Sequence, residues 1–427
     1  MWIEEYTREI LGLLIILYLM ISLIIRSKRT YIPVWSIMAF SAFITVITGL
    51  VKFDEIGFVI DIDVILFLIG MFSLVGFCEY TGLLSAISSW YISKFKSRYS
   101  IIYASSFLFG ILSAFAVNDT VALMGPPIAY IISKAIDIDP KFMFLLLAYS
   151  LTIGSVMTPI GNPQNVLIAI QSGISAPFIQ FFIKLIIPTI INLIILPLIL
   201  IKIFKIENKS IDISLIPHES IKDKKEALIS GIGLAITVVI LVLNDYLELL
   251  GLPHVYNRGF IPFIIAAGIY ILSKNPRKII ANVDWGTIVF FITMFITMEG
   301  IWRSGILKLF LTLMLPNRIG ILESIIFITF ISIALSQVLS NVPFVKLFIT
   351  FLKEIGYGSK DINIWLTLAA ASTIAGNLTI LGAASNIIIL ENIESKMNTS
   401  ITFKEFFKIG LIITIVNMLI YLIFLIS

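Results

Sequence analysis

Four short polar clusters stand out in a chain that is otherwise mostly apolar. The first holds Ser113 with Asn118-Asp119-Thr120, and the second runs Thr158-Pro159-Ile160-Gly161-Asn162-Pro163-Gln164-Asn165. The third holds Ser336 with Ser340-Asn341-Val342-Pro343, and the fourth runs from Asn377 through Thr379, Gly382 and Ser385 to Asn386. Amide and hydroxyl groups of this kind bind small ions. Pro159 and Pro163 each remove a helical N–H, and Gly161 permits conformations that other residues avoid, so the second cluster should interrupt a helix. The fourth has only Gly382 to do so. At such a break the carbonyls ending the incoming half-helix can ligate Na⁺, and the N–H groups opening the outgoing half face an anion. Taken singly, each cluster also reads as a kink with Asn and Thr packed between helices.

Asp119 is the sharpest single residue, because an ionisable group at membrane depth is expensive and usually faces a pathway or a partner. It can bind a coupling cation, carry a proton, or cap the outgoing helix. Lys346 reads as a fixed cation beside an anionic substrate, a partner for a carboxylate such as Asp119, or, preferably, a snorkelling side chain. Glu299 and Arg303, at i, i+4 spacing, should form an ion pair. Glu79 and Glu391 should be interfacial. Cys78 is the one cysteine and the two histidines, His218 and His254, lie far apart, so a histidine or cysteine metal site is not expected. Nor is there a His-Glu-x-x-His sequence, a protease-type pair of intramembrane aspartates, or a nucleophile with a base. An enzyme is therefore not expected.

The elements that carry these residues must be membrane helices. Hydrophobic residues make up 59% of 427 positions and charged residues 13%, well away from a soluble domain with about 25% charge. Runs such as 10–25, 185–201 and 409–426 approach the ~20 apolar residues that cross a bilayer. The net charge of +4 sits mostly in short connections, which suits membrane orientation and not nucleic-acid binding. Spans are expected at about 9–26, 31–51, 62–88, 142–170 and 178–203, then at 226–244, 258–273, 284–302, 362–394 and 405–427. The stretches 142–170 and 362–394 are broken helices. A polar connector at 204–225, containing Asp212, His218 and Glu219, divides the halves 1–203 and 226–427. The acidic N-terminus and the missing cleavage site argue that the first run stays as a helix.

The second half repeats the first. At an offset of 223, Asp61, Met71, Gly82, Ser113 and Asn118 fall on Asp284, Met294, Gly305, Ser336 and Asn341. At an offset of 221, Thr152, Thr158, Gly161 and Asn165 fall on Thr373, Thr379, Gly382 and Asn386. Asp119 falls on Val342, so the two halves are not chemically equal. With the N-terminus outside, the basic connections at Arg26/Lys28/Arg29, Lys94/Lys96/Arg98, 204–225 and Lys274/Arg277/Lys278 all fall inside. That holds only if 100–136 and 321–352 are re-entrant hairpins. The expected fold is all-α and polytopic: two inverted repeats of five transmembrane helices, each with a re-entrant hairpin and a broken helix. Both termini then lie outside a multi-pass protein of the cell membrane.

Ser113–Ile128 and Thr158–Asn165 resemble the two signature segments of the ion transporter superfamily, especially its arsenite/anion permease and citrate-transporter-like branch. The resemblance extends through the repeat over nearly the whole chain. It implies a homodimer, an elevator motion, and contacts at the hairpin tips and helix breaks. Those contacts are Asn118, Asp119, Thr120, Thr158, Gly161, Asn162 and Asn165, then Ser340, Asn341, Thr379, Gly382, Ser385 and Asn386, with Na⁺ at Asn118, Asp119, Gly161 and Asn165. The chain departs from the Ser-Asn-Thr found at both tips of the sodium/dicarboxylate members. A small anion (an oxyanion, an arsenite-like solute or a small carboxylate) coupled to H⁺ or Na⁺ is the expected cargo, with no other cofactor. A sodium/proton antiporter is the rival within transport, an intramembrane enzyme the rival outside it, and a separate ATPase subunit would leave no trace in this chain.

Overall fold

The computed structural model describes residues 2–28, 32–211, 221–315, 317–397 and 400–426. Arg29 and the connector residues Asp212, His218 and Glu219 lie outside the described residues. The first half contains α1 (Trp2–Lys28), α2 (Val34–Ile47), α3 (Ile56–Val59), α4 (Ile62–Tyr80), α5 (Leu83–Ile92), α6 (Arg98–Ala116), α7 (Asn118–Ala135), α8 (Pro140–Gly154), α9 (Pro163–Gln171) and α10 (Pro177–Phe204). The second contains α11 (Lys224–Leu249), α12 (Phe260–Leu272), α13 (Pro276–Ala281), α14 (Trp285–Arg303), α15 (Ile306–Met314), α16 (Ile321–Leu339), α17 (Asn341–Glu354), α18 (Ile362–Ile374), α19 (Ala384–Met397) and α20 (Phe403–Ile426). Among the described residues nine helices are long and apolar enough to cross a membrane.

The repeat is written in the backbone. Asp61 caps α4 by accepting from Val64 N at 3.2 Å, and Asp284 caps α14 by accepting from Thr287 N at 3.0 Å. The chain then turns at Gly82 (φ 79°) into α5 and at Gly305 (φ 83°) into α15, a left-handed conformation that glycine adopts without a Cβ clash. This corrects the span expected at 62–88. Hydropathy runs on past Tyr80, but α5 has ten residues and α15 nine, about 15 Å each, too short to cross. The hairpins form as expected, with α6 meeting α7 at Val117 (φ 60°) and α16 meeting α17 at Ser340 (φ 68°). Both tips are non-glycine residues in a sparsely populated region, a strain of order 1–3 kcal/mol that surrounding contacts must hold.

The equivalents run in opposite directions. Arg303 at the C-terminal end of α14 pairs with Glu55, just before the N-terminal end of α4. The polar ends sort into two groups. At one end Arg98 N donates to Lys209 O, Lys222 N to Thr81 O, Lys274 pairs with Asp223, and Lys141 with Glu405. At the other, Arg303 binds Glu299 and Glu55, Arg258 binds Asp245 and Glu248, and Arg318 binds Asp361. The Glu299–Arg303 pair (2.7 Å) is the one the spacing predicted.

Packing divides the helices into two bodies, each built from the same elements of both halves. α1, α2, α4, α11, α12 and α14 pack on one another; the hairpins, broken helices, α10 and α20 form the second body. Within the second body the first broken helix lies deepest: 89% of the Pro140–Met157 window is buried, against 44% of the Pro177–Phe204 window of α10. The second body has a closely packed centre, where Tyr149, Trp365 and Tyr421 are fully buried. It suits elements that must hold irregular backbone away from lipid.

Candidate substrate and ion site

The breaks of the two halves have one geometry. After a single 3₁₀ turn each chain reaches a threonine in extended conformation, Thr158 (φ −137°, ψ 153°) and Thr379 (φ −135°, ψ 159°). The freed carbonyls are taken up by an asparagine from the outgoing helix. Asn165 Nδ2 donates to Ser155 O (3.0 Å) and Thr158 O (3.1 Å); Asn386 Nδ2 donates to Gly376 O (2.7 Å) and Thr379 O (3.3 Å). Gly161 is required by closeness, since a Cβ there would lie 2.2 Å from Ser155 O. Its own carbonyl accepts from Asn118 N at 2.9 Å, which docks the first hairpin tip onto the first break.

Around this common frame the halves differ. In the first, Thr158 Oγ1 donates to Ala114 O and accepts from Gly161 N, Asn162 Oδ1 caps α9 by accepting from Asn165 N (2.9 Å), and Ser113 Oγ donates to Leu151 O (2.7 Å). Thr373 from the other half binds Asn162 Nδ2 at 3.0 Å and Asn165 Oδ1 at 3.4 Å. Nearly every polar atom is satisfied. In the second half, Ser336 Oγ, Asn341 Oδ1, both side-chain polar atoms of Asn377, Ser385 Oγ and Asn386 Oδ1 are buried without a hydrogen-bond partner. On the first-half tip only Asn118 Oδ1 is in that state. Buried polar groups are paired in most proteins, so these atoms hold bonding capacity that the protein itself does not use, as do Asn192, Thr414 and Asn417 away from the breaks. The neutral amide and hydroxyl oxygens fit a monovalent cation. Of the four residues expected to hold Na⁺, Asn165 and Gly161 spend their polar atoms within the protein, and Asn118 Oδ1 and the Asp119 carboxylate remain.

A cavity of about 510 Å³ opens beside both tips. Six helix N-termini reach it: those of the hairpin and broken-helix arms α7 (Asn118, Asp119), α9 (Pro163, Gln164), α17 (Asn341, Val342) and α19 (Ala384), and those of α2 (Val34, Trp35) and α14 (Gly286, Thr287). Each brings the positive end of a helix dipole. Asp119, half-buried, is not the cap of α7; that position is Val117, and Asp119 sits in the first turn with no capping bond. Its carboxylate shares the cavity with that of Asp284. Thr120, Thr158, Gly161, Asn162, Asn165, Thr379, Gly382, Ser385 and Asn386 do not line it.

Several site residues escaped the sequence reading. Gln337 bridges the second hairpin to its break, accepting from Thr379 Oγ1 (2.7 Å) and donating to Ala375 O (2.9 Å). Its signal was a lone amide beside Ser336 in an apolar helix. Asp284 gave a repeat signal but no hint that it faces the site. Lys346 does not snorkel: its Nζ donates to Gln171 Oε1 (3.1 Å) and lies 5.5 Å from the centre of the Phe295 ring, while Gln171 Nε2 donates to Asp61 Oδ2 (2.7 Å).

Comparison with known proteins agrees with this architecture. The family model described as "Citrate transporter" matches residues 15–375. The chain belongs to the citrate transporter family. This citrate-transporter-family chain is 25% identical over 373 residues to the 46 kDa membrane protein of Mycobacterium leprae, covering 84% of each. It is 26% identical over 339 residues to the inner membrane protein YbiR of Escherichia coli, covering 78% of this chain and 80% of that one. Its fold matches the YdaH transporter of Alcanivorax borkumensis with a TM-score of 0.56 at 13% identity, over 84% of each chain. It is an integral membrane transporter and not an enzyme.

Proposed function

We propose that this chain is a secondary active transporter that moves a small anion, an oxyanion, arsenite-like solute or small carboxylate, coupled to H⁺ or Na⁺. The observation that carries the reading is the convergence of six helix N-termini on one cavity, four of them from the hairpins and broken helices, an arrangement that stabilises negative charge without a fixed cation at its centre. Asp119 is the coupling group: ionised, it repels the anion, and a bound proton or Na⁺ removes that repulsion. The second body moves as an elevator against the first, and the chain works as a homodimer. The basic end faces the cytoplasm and both termini lie outside. A cavity whose lining includes Arg26 and Asp284 at that end is then open inward.

A second reading, Na⁺/H⁺ exchange, is favoured by the two carboxylates Asp119 and Asp284 in the same cavity. Proteoliposome uptake under imposed Na⁺ and pH gradients, with arsenite, phosphate, sulfate, succinate and citrate, separates the two. Anion uptake that Asp119→Asn uncouples from the gradient supports the first. Cation exchange with no anion moved sinks it.

A further inference from the structure

Arg26 enters the sequence as one of three basic residues that orient the first helix, yet the fold gives it a different setting. Its neighbours in that role at the same end, such as Lys94, Lys96 and Lys274, do not reach the cavity, and among the described residues lining it Arg26 is the one basic side chain. Its side chain is 13% exposed. The guanidinium is held by one edge: Nε donates to Ile32 O at 3.0 Å. On the other edge, Nη2 stands 3.9 Å from Glu391 Oε1, an ion pair longer than a hydrogen bond. Arg26 belongs to the first body and Glu391, on α19, to the second, so the pair spans the seam at the cavity's inner end.

A guanidinium fixed through Nε presents its remaining N–H groups as a planar fork, the shape that matches two oxygens of a carboxylate or oxyanion. A carboxylate at 3.9 Å offers weak competition for that fork. We infer that Arg26 reads the anion at the inner mouth of the cavity, taking two of its oxygens in place of Glu391 before the anion reaches the hairpin tips. The inference rests on the anion reading above and names a specificity residue for it: cargo with at least two oxygens on one centre is selected, and a lone halide is not. The exchange also loosens the seam, because Glu391 gives up its cross-body partner when the anion arrives.

The test uses proteoliposomes with radiolabelled arsenite, phosphate, succinate and citrate, comparing wild type with Arg26→Gln, Arg26→Lys and Glu391→Gln. For whichever probe the wild type moves, Arg26→Gln should raise KM about tenfold or more with kcat nearly kept, as expected for loss of a bidentate charged contact. Arg26→Lys should recover part of that loss, and Glu391→Gln should lower KM by removing the competitor. An unchanged KM in Arg26→Gln overturns the inference and leaves anion transport standing. If Arg26→Gln does not fold, an unchanged KM in both Arg26→Lys and Glu391→Gln overturns it equally. Should the wild type move none of the four probes while exchanging cations, the anion reading falls and the role of Arg26 falls with it.

Discussion

Asn165 and Asn386 stand 221 residues apart and make the same two bonds. Each side-chain amide reaches back across a helix break to the carbonyl that ends the incoming turn and to that of the extended threonine. A break at membrane depth persists only if those carbonyls find donors, and one amide group supplies both. The difference lies at the other atom: Asn165 Oδ1 accepts from Thr373, and Asn386 Oδ1 is buried without a partner.

Asn165→Ala and Asn386→Ala should each destabilise the protein, since every buried carbonyl stripped of its donor costs about 1–3 kcal/mol. Thermal unfolding in detergent should show a drop of several degrees for both. Unchanged midpoints would mean that water replaces the amide and that the break is wetter than its burial indicates.

Removing second-half oxygens should affect ion dependence more than folding. Asn377→Leu replaces two unpartnered atoms by an apolar group of similar size, so its stability should hold or rise. The Na⁺ concentration for half-maximal uptake should rise about tenfold or more. If uptake shows no Na⁺ dependence in the wild type and Asn377→Leu is silent, coupling is to protons and the unpartnered second-half oxygens do not hold a cation.

Lys346, Gln171 and Asp61 link the two bodies at the end opposite the cavity. Gln171→Leu removes the middle of that chain and should shift the population away from the inward-open arrangement. A cysteine at Ser340, in a Cys78→Ala background, should then label more slowly from the cytoplasmic side. Faster labelling would show that the chain of bonds holds the cavity shut instead.

Gly154 sits where the first hairpin crosses the first broken helix. A Cβ there would stand 2.0 Å from Gly110 O and 2.3 Å from Gly110 Cα, and backbone cannot yield as a side-chain end can. Gly154→Ala should abolish a monodisperse peak in size-exclusion chromatography. Gly57→Ala, with nothing within 4 Å, should leave it intact. Equal behaviour of the two variants would refute the close packing of α6 on α8.

Orientation is open to single-cysteine labelling in the same Cys78→Ala background. Lys96→Cys and Arg277→Cys should react with a membrane-impermeant maleimide only from the cytoplasmic side, and Asp54→Cys and Tyr256→Cys only from outside. The reverse pattern would invert the assignment of both termini.

The membrane environment, the restart of the pattern after the connector, and the hairpin tips and helix breaks were all legible from residue order alone. Those features rest on local physics: apolar run length, the scarcity of polar residues within such runs, and the backbone preferences of Pro and Gly. Even the matching of Thr158 with Thr379 was legible, because both halves must solve the same problem of freed carbonyls. The end of the third span was not, because Leu83–Ile92 is apolar enough to continue a helix and only Gly82 in the left-handed region turns it. Nor could sequence decide which polar atoms are spent on the protein and which remain for a ligand. Asn162 and Asn165 look as available as Asn377 and Asn386, until Thr373 arrives from the opposite half and satisfies the first pair. Arg26 beside Glu391, Lys346 beside Gln171, and Asp284 in the cavity of Asp119 are likewise contacts between residues more than a hundred positions apart. Only the packing of the two inverted halves brings them together, because pairing across such distances depends on the global arrangement of helices and on no local preference.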